Sequence, residues 1–195
     1  PWPDHQLRTF LVQAESYQTD IVMPPMFGDT ARLAIMDRLS TLGSPLEAQL
    51  RRKASDIRDG LDVDLKDALA DPDDTTMVIV RGYLFLDEEG QAAIACSDLD
   101  LASDAAQLTG LLPLREIIEP LSSEAPSNFA GGRILVLDVE PYGVLPRLNQ
   151  SGDEALVALE RQLRELSTPL ADQLWVIVTR GSLQSAGWDP KTQMP

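Results

Sequence analysis

One histidine, His5, and one cysteine, Cys96, stand in a chain of 195 residues, and they limit what hydrolytic chemistry is possible. A serine or cysteine nucleophile needs a neighbouring base to take its proton. His5 lies in the N-terminal stretch "PWPDHQLRTF", whereas Cys96 lies in "AAIACSD", the apolar setting of a small packing residue inside a predicted strand. The two are not expected to form a nucleophile and base pair, and a single thiol excludes an internal disulfide. No glycine-rich phosphate cradle of either standard spacing follows an apolar run, so no nucleotide cofactor is expected. The run "DVDLKDALADPDD" holds six aspartates but lacks the ligand spacing and glycine of a calcium loop. It reads as a solvated helix end and turn, and no metal site is expected.

The remaining chemistry-bearing residues gather where three apolar runs end. "MVIV" at 77–80 leads into Arg81, Gly82 and Tyr83, "RILVLDV" at 133–139 contains Asp138 and leads into Glu140, and "LWVIVTRG" at 174–181 contains Arg180. Open α/β sheets place ligands and chemistry at the carboxyl ends of their strands. Asp138 and Glu140, two apart along a strand, stand about 7 Å from one another, too far to share a proton as an acid-protease pair does. Tyr83 can donate a hydrogen bond to Glu140 across the same end of the sheet. The planar forks of Arg81 and Arg180 suit a ligand carboxylate. In a chain this acidic, pairing with Glu140 or a nearby aspartate is the stronger expectation.

The elements that position these residues follow from period and breakers. "LRTFLVQA" at 7–14 predicts a buried strand. A surface helix is predicted from a cap at Asp29 or Thr30 to Gly43, and two more between Pro45 and Leu69, separated at Gly60. After the turn cluster at 71–76, "GYLFLDEEGQAAIACSD" predicts a strand, an acidic turn and a returning strand. "LPLREIIEPL" predicts a helix from about Pro113, and "SGDEALVALERQLRELST" an amphipathic helix capped by Ser151 with Glu154 completing a capping box. "RILVLDV" and "LWVIVTRG" are predicted as buried strands. Apolar strands alternating with helices predict an α/β fold, its mainly parallel sheet covered on both faces.

Composition is that of an ordinary soluble globular domain, 44% hydrophobic and 24% charged. The net charge of −15 disfavours contact with nucleic-acid phosphates. No apolar run approaches a membrane span, and the N-terminus carries no secretory pattern, so no membrane contact by this segment and a cytoplasmic setting are expected. The chain does not begin with Met, and reads as one domain, residues 1–195, of a longer multidomain protein.

The order and spacing of "LRTFLVQAESYQ", "DTTMVIVRGYLFLDEEGQAAIACSD", "GRILVLDVEPYG" and "LWVIVTRGSLQSAGWD" resemble the caspase-like cysteine peptidases, including bacterial metacaspase-type homologues. "LPLREIIEPL" stands where that family has a helix between its two dyad motifs. The resemblance covers most of the chain. It implies a three-layer α/β fold with a β-hairpin excursion and a His/Cys dyad at the ends of two strands. Gly82 matches the glycine before the family's histidine, Tyr83 takes the histidine's place, and Leu84 replaces the next glycine. Leu137 and Asp138 match the second motif, Val139 replaces a small residue, and Glu140 takes the cysteine's place. Some bacterial homologues carry tyrosine at the histidine position. The implied function is that of an inactive pseudopeptidase acting as a scaffold, regulator or interaction domain for proteins or for other domains of its own polypeptide. A peptide- or ligand-binding cleft and a hydrolase with substituted chemistry are the alternatives. The family adds a strand and helix beyond "QSAGWD", so the expectation is either a chain cut short there or an open sheet edge that pairs with other residues or with another copy in an edge-strand dimer.

Overall fold

A computed structural model describes residues 7–13, 17, 37–38, 53–71, 73–100, 109–122, 131–142, 144–145, 150–165 and 174–180. The predicted helix from Asp29 or Thr30 to Gly43 lies outside the described residues except for helical Asp37 and Arg38, and His5 lies outside them altogether.

The strands are β1 (Leu7–Gln13), β2 (Thr75–Leu86), β3 (Ala92–Asp100), β4 (Thr109–Pro113), β5 (Arg133–Pro141), the short β6 (Val144–Leu145) and β7 (Gln150–Ser151), and β8 (Leu174–Arg180). Helices are α1 (Ala54–Gly60), a π-helical turn (Leu61–Leu65), α2 (Lys66–Ala70), α3 (Arg115–Ser122) and α4 (Gly152–Glu165). The result is a mixed α/β fold with an open six-stranded, mostly parallel sheet in the order β4-β3-β2-β5-β8, β1 also pairing with β2. β6 and β7 form a separate antiparallel pair.

β2 is the centre of this sheet. One edge pairs in parallel with β5 from Thr76↔Arg133 to Leu84↔Pro141. The other edge is divided: β1 runs parallel to it from Leu7↔Thr75 to Gln13↔Arg81, and β3 then takes over antiparallel at Leu84 to Leu86. Gly82 and Tyr83 lie at the changeover. This second partner explains why β2 does not end after residue 80. It runs on for a dozen residues, because β3 satisfies the main chain where β1 leaves off.

The acidic turn forms at the predicted place. Asp87 Oδ1 accepts hydrogen bonds from the amides of Glu89 (2.9 Å) and Gln91 (2.8 Å), and Gly90 adopts φ +70°.

The helices α1 to α4 pack on one face of the sheet. Strand alternation sends Val78, Val80, Leu84, Leu135, Leu137 and Val139 to that face, where they join Ile57, Leu61 and Leu65, Ile117 and Leu121 of α3, and Ala155 and Leu159 of α4 in the main core. Buried Arg133 donates from Nη1 to the carbonyl of Leu121 (2.9 Å), holding the end of α3 against β5.

Three local expectations need correction. Gly60 does not separate two helices: its φ of −66° and ψ of −41° are helical, and burial of Leu61 and Leu65 in the π turn offsets glycine's cost of about 1 kcal/mol. "TGLLP" is strand β4, with α3 starting only at Arg115. Gly110, at φ +79°, takes the irregularity where β3 and β4 slip between Ala95 and Asp100, and Pro113 is tolerated because β4 is an edge strand. Ser151, the last residue of β7, stands at the predicted N-cap position immediately before α4. Finally, β8 is buried on one side only. Leu174 and Val176 reach the main core, whereas Trp175 is 71% exposed. β8 closes the sheet's path, and an apolar run does not by itself reveal that only one of its faces is covered.

Candidate functional site

The sheet brings Arg81, Tyr83, Asp138 and Glu140 onto one face, opposite the described helices. They sit within strands, not in the loops beyond them, since β2 and β5 extend past the positions where the apolar runs stop. Registers place them in two successive rows across the sheet. The first is Gln13, Arg81, Asp138 and Thr179, contributed by β1, β2, β5 and β8 in turn. The second is Tyr83 beside Glu140.

In the first row Arg81, Asp138 and Thr179 form a polar network. Arg81 is 2% exposed, and its Nε donates to Asp138 Oδ2 at 2.9 Å. Thr179 donates from Oγ1 to Asp138 Oδ1 at 2.8 Å. Asp138 therefore uses both carboxylate oxygens to tie the outer strand β8 to β2. Burial lowers the pKa of Arg81, an effect opposed by the charge of Asp138 and the hydrogen bond to it. Pairing with an aspartate is the arrangement expected of an arginine in so acidic a chain. Arg180 stands elsewhere: its register partner is Val139, one step out of phase with the Asp138–Thr179 row.

The second row is aromatic as much as acidic. Tyr83 is 6% exposed and forms a second, smaller core with Phe85, Ala93, Ala95, Leu99 and Leu111. Its ring lies 5.8 Å from that of Tyr17 and edge-on to Tyr142 at 5.4 Å, while Tyr142 stacks on Phe85 at 5.4 Å. The chain has three tyrosines, and all three meet here. Burial first, then the charges of Glu140 and Tyr142, pushes the Tyr83 phenol up to about 12. Burial also raises Tyr17, with a smaller contribution from Tyr83. Glu140 is half-buried, and its carboxyl is raised by desolvation and then by the charge of Asp138.

Gly82 is not sterically forced. A Cβ there would meet the Ala95 carbonyl oxygen at 3.7 Å and Ile94 Cβ at 3.9 Å, ordinary contact distances. Cys96 is 1% exposed in the helix-side core, and burial pushes its thiol up to about 12, so it is a packing residue and not an activated nucleophile.

Thr179, Phe85, Tyr17 and Tyr142 belong to this assembly without having been singled out in the sequence. Counting tyrosines would have flagged two of them, but only the strand registers show that the rings converge. Among the described residues no group of three potential metal ligands occurs, and no helix is long and apolar enough to cross a membrane. Two shallow surface hollows, one beside α4 and the β2–β3 turn and one between the α1–α2 run and α3, lie away from these rows.

No protein-family model matches the chain, and no curated protein does. A solved structure described as pro-sf-caspase-1 is similar to it at 10% sequence identity, with a TM-score of 0.47, covering 76% of this chain. The match spans 55% of that structure's own length.

Proposed function

We propose that this chain is a caspase-like pseudopeptidase, a non-catalytic domain that serves as a scaffold, regulator or interaction module. The observation that carries this reading is the second row of the site. The position matching the family's histidine holds a tyrosine built into a small aromatic core, and the position matching its cysteine holds the glutamate directly across the strand pair. A phenol pushed up to about 12 cannot cycle a proton at neutral pH as an imidazole near 6.5 does. A carboxylate is a poor nucleophile toward an amide, and Cys96 is buried. Loss of a working nucleophile or base costs a hydrolase on the order of a million-fold in rate.

Charge bears on the class of partner: with a net charge of −15, the partners favoured are proteins or other domains of the same polypeptide and not nucleic acid. The test is incubation of the chain with a panel of Arg- and Asp-directed reporter peptides, beside the double variant Tyr83→His, Glu140→Cys. No turnover by the unmodified chain is expected. Turnover that survives removal of contaminating peptidases and is lost in Glu140→Gln would refute the reading and favour substituted hydrolytic chemistry.

A further inference from the structure

We infer that the hollow between α4 and the β2–β3 turn is a docking site for an aliphatic side chain flanked by lysine or arginine, carried on a segment of another protein. Leu86, Val157 and Ala158 give the hollow its apolar lining. Above Gly90 there is open space, since a Cβ there would meet nothing within 4 Å. α4 is fastened to the turn by Gln162, whose Nε2 donates to Gln91 Oε1 at 2.9 Å, and by Arg161, whose Nη2 donates to the Gly90 carbonyl at 3.3 Å. The hollow is therefore formed before anything binds in it.

Val157 is the residue out of place. The stripe of α4 that meets the sheet is Ala155, Ala158, Leu159 and Gln162, all buried, whereas Val157 is 65% exposed in the hollow, one helical turn from Asp153. Covering it with a partner's methyl groups removes apolar surface from water. The rim selects the partner's charge. Asp153 and Glu154 line the hollow, and Glu88 stands exposed on the adjoining turn. A cationic segment is attracted there and an acidic one repelled, and the net charge of −15 disfavours a second copy of this chain. At about 270 Å³ the hollow falls below the roughly 300–1,000 Å³ of small-molecule sites, so a single side chain of a polypeptide is the fitting guest. The site is on the helix side of the sheet, opposite Tyr83 and Glu140, and does not rest on the chain being catalytically inert.

The probe is N-acetyl-Lys-Leu-Lys amide, titrated into the whole chain while backbone amide chemical shifts are followed. Saturable shifts are expected at Leu86, Gly90 and residues 153–161, and much weaker ones with N-acetyl-Lys-Ser-Lys amide or N-acetyl-Glu-Leu-Glu amide. Val157→Lys, a change at an exposed position, is expected to bind the probe at least about tenfold more weakly because it sets like charge against it. Glu140→Gln, on the opposite face, is expected to bind as the wild type does. The assignment is overturned by the absence of saturable shifts at those amides, by equal binding of either control peptide, by unchanged binding to a folded Val157→Lys, or by loss of binding in Glu140→Gln. If Val157→Lys loses its cooperative melt, the wild-type shifts decide: saturation at the hollow by the lysine–leucine probe alone supports the site, and its absence overturns it.

Discussion

Glu140 holds its proton more tightly than an ordinary glutamate because burial and the charge of Asp138 both penalise its anion. Its neighbour two residues back, Asp138, accepts hydrogen bonds from Arg81 and Thr179. A carboxyl whose folded pKa is raised favours the folded state below its unfolded pKa of about 4.3, and that contribution is lost as pH rises through the folded pKa. Glu140→Gln is accordingly expected to be more stable than the wild type at pH 7 in urea unfolding, with the difference vanishing near pH 4. An advantage that persists at pH 4 would point to packing instead of ionisation. Asp138, Glu140, Arg81 and Tyr83 were legible as a set from the ends of apolar runs. Their division into a paired polar row and an aromatic row was not, because it depends on which strands lie side by side.

At the scale of elements, α1 draws its N-terminal cap from another element. Lys53, at the cap position, makes no side-chain cap bond, and Asp98 of β3 instead accepts from the Ala54 amide at 3.1 Å through Oδ1. Asp98→Ala should lower stability by about 1 kcal/mol, as loss of a helix cap does, and Asp98→Asn should retain much of it, read from urea midpoints at constant m-value. The strands β1 and β5, the acidic turn and α4 were readable because period and turn chemistry are local. Gly60 was misread, and the strand at "TGLLP" went unread, for a common reason: burial of Leu61 and Leu65 holds the first in a helix, and pairing with β3 holds the second in a strand. Neither influence is visible within a short window of sequence. The same holds for the extension of β2, which β3 makes possible.

For the whole molecule, charge and apolar exposure pull in opposite directions. The net charge of −15 keeps copies apart, while β8 presents Trp175 at 71% exposure and Ile177 at 49% on the face away from the described helices. Trp175→Lys should leave the unfolding free energy within about 0.5 kcal/mol of the wild type. It should also reduce light scattering from concentrated samples at high salt, where the repulsion is screened. Unchanged scattering would remove β8 as a self-association surface.

The divided edge of β2 also sets an order of assembly. The β2–β3 pair closes through a short local turn, whereas β1 must arrive from far along the chain: the ion pair between Arg8 and Asp74 spans 66 residues. Loop-closure entropy makes such distant pairing late. During refolding, amides of the β2–β3 hairpin should gain protection before those of β1, leaving the Thr75–Arg81 edge transiently open until the N-terminal strand docks.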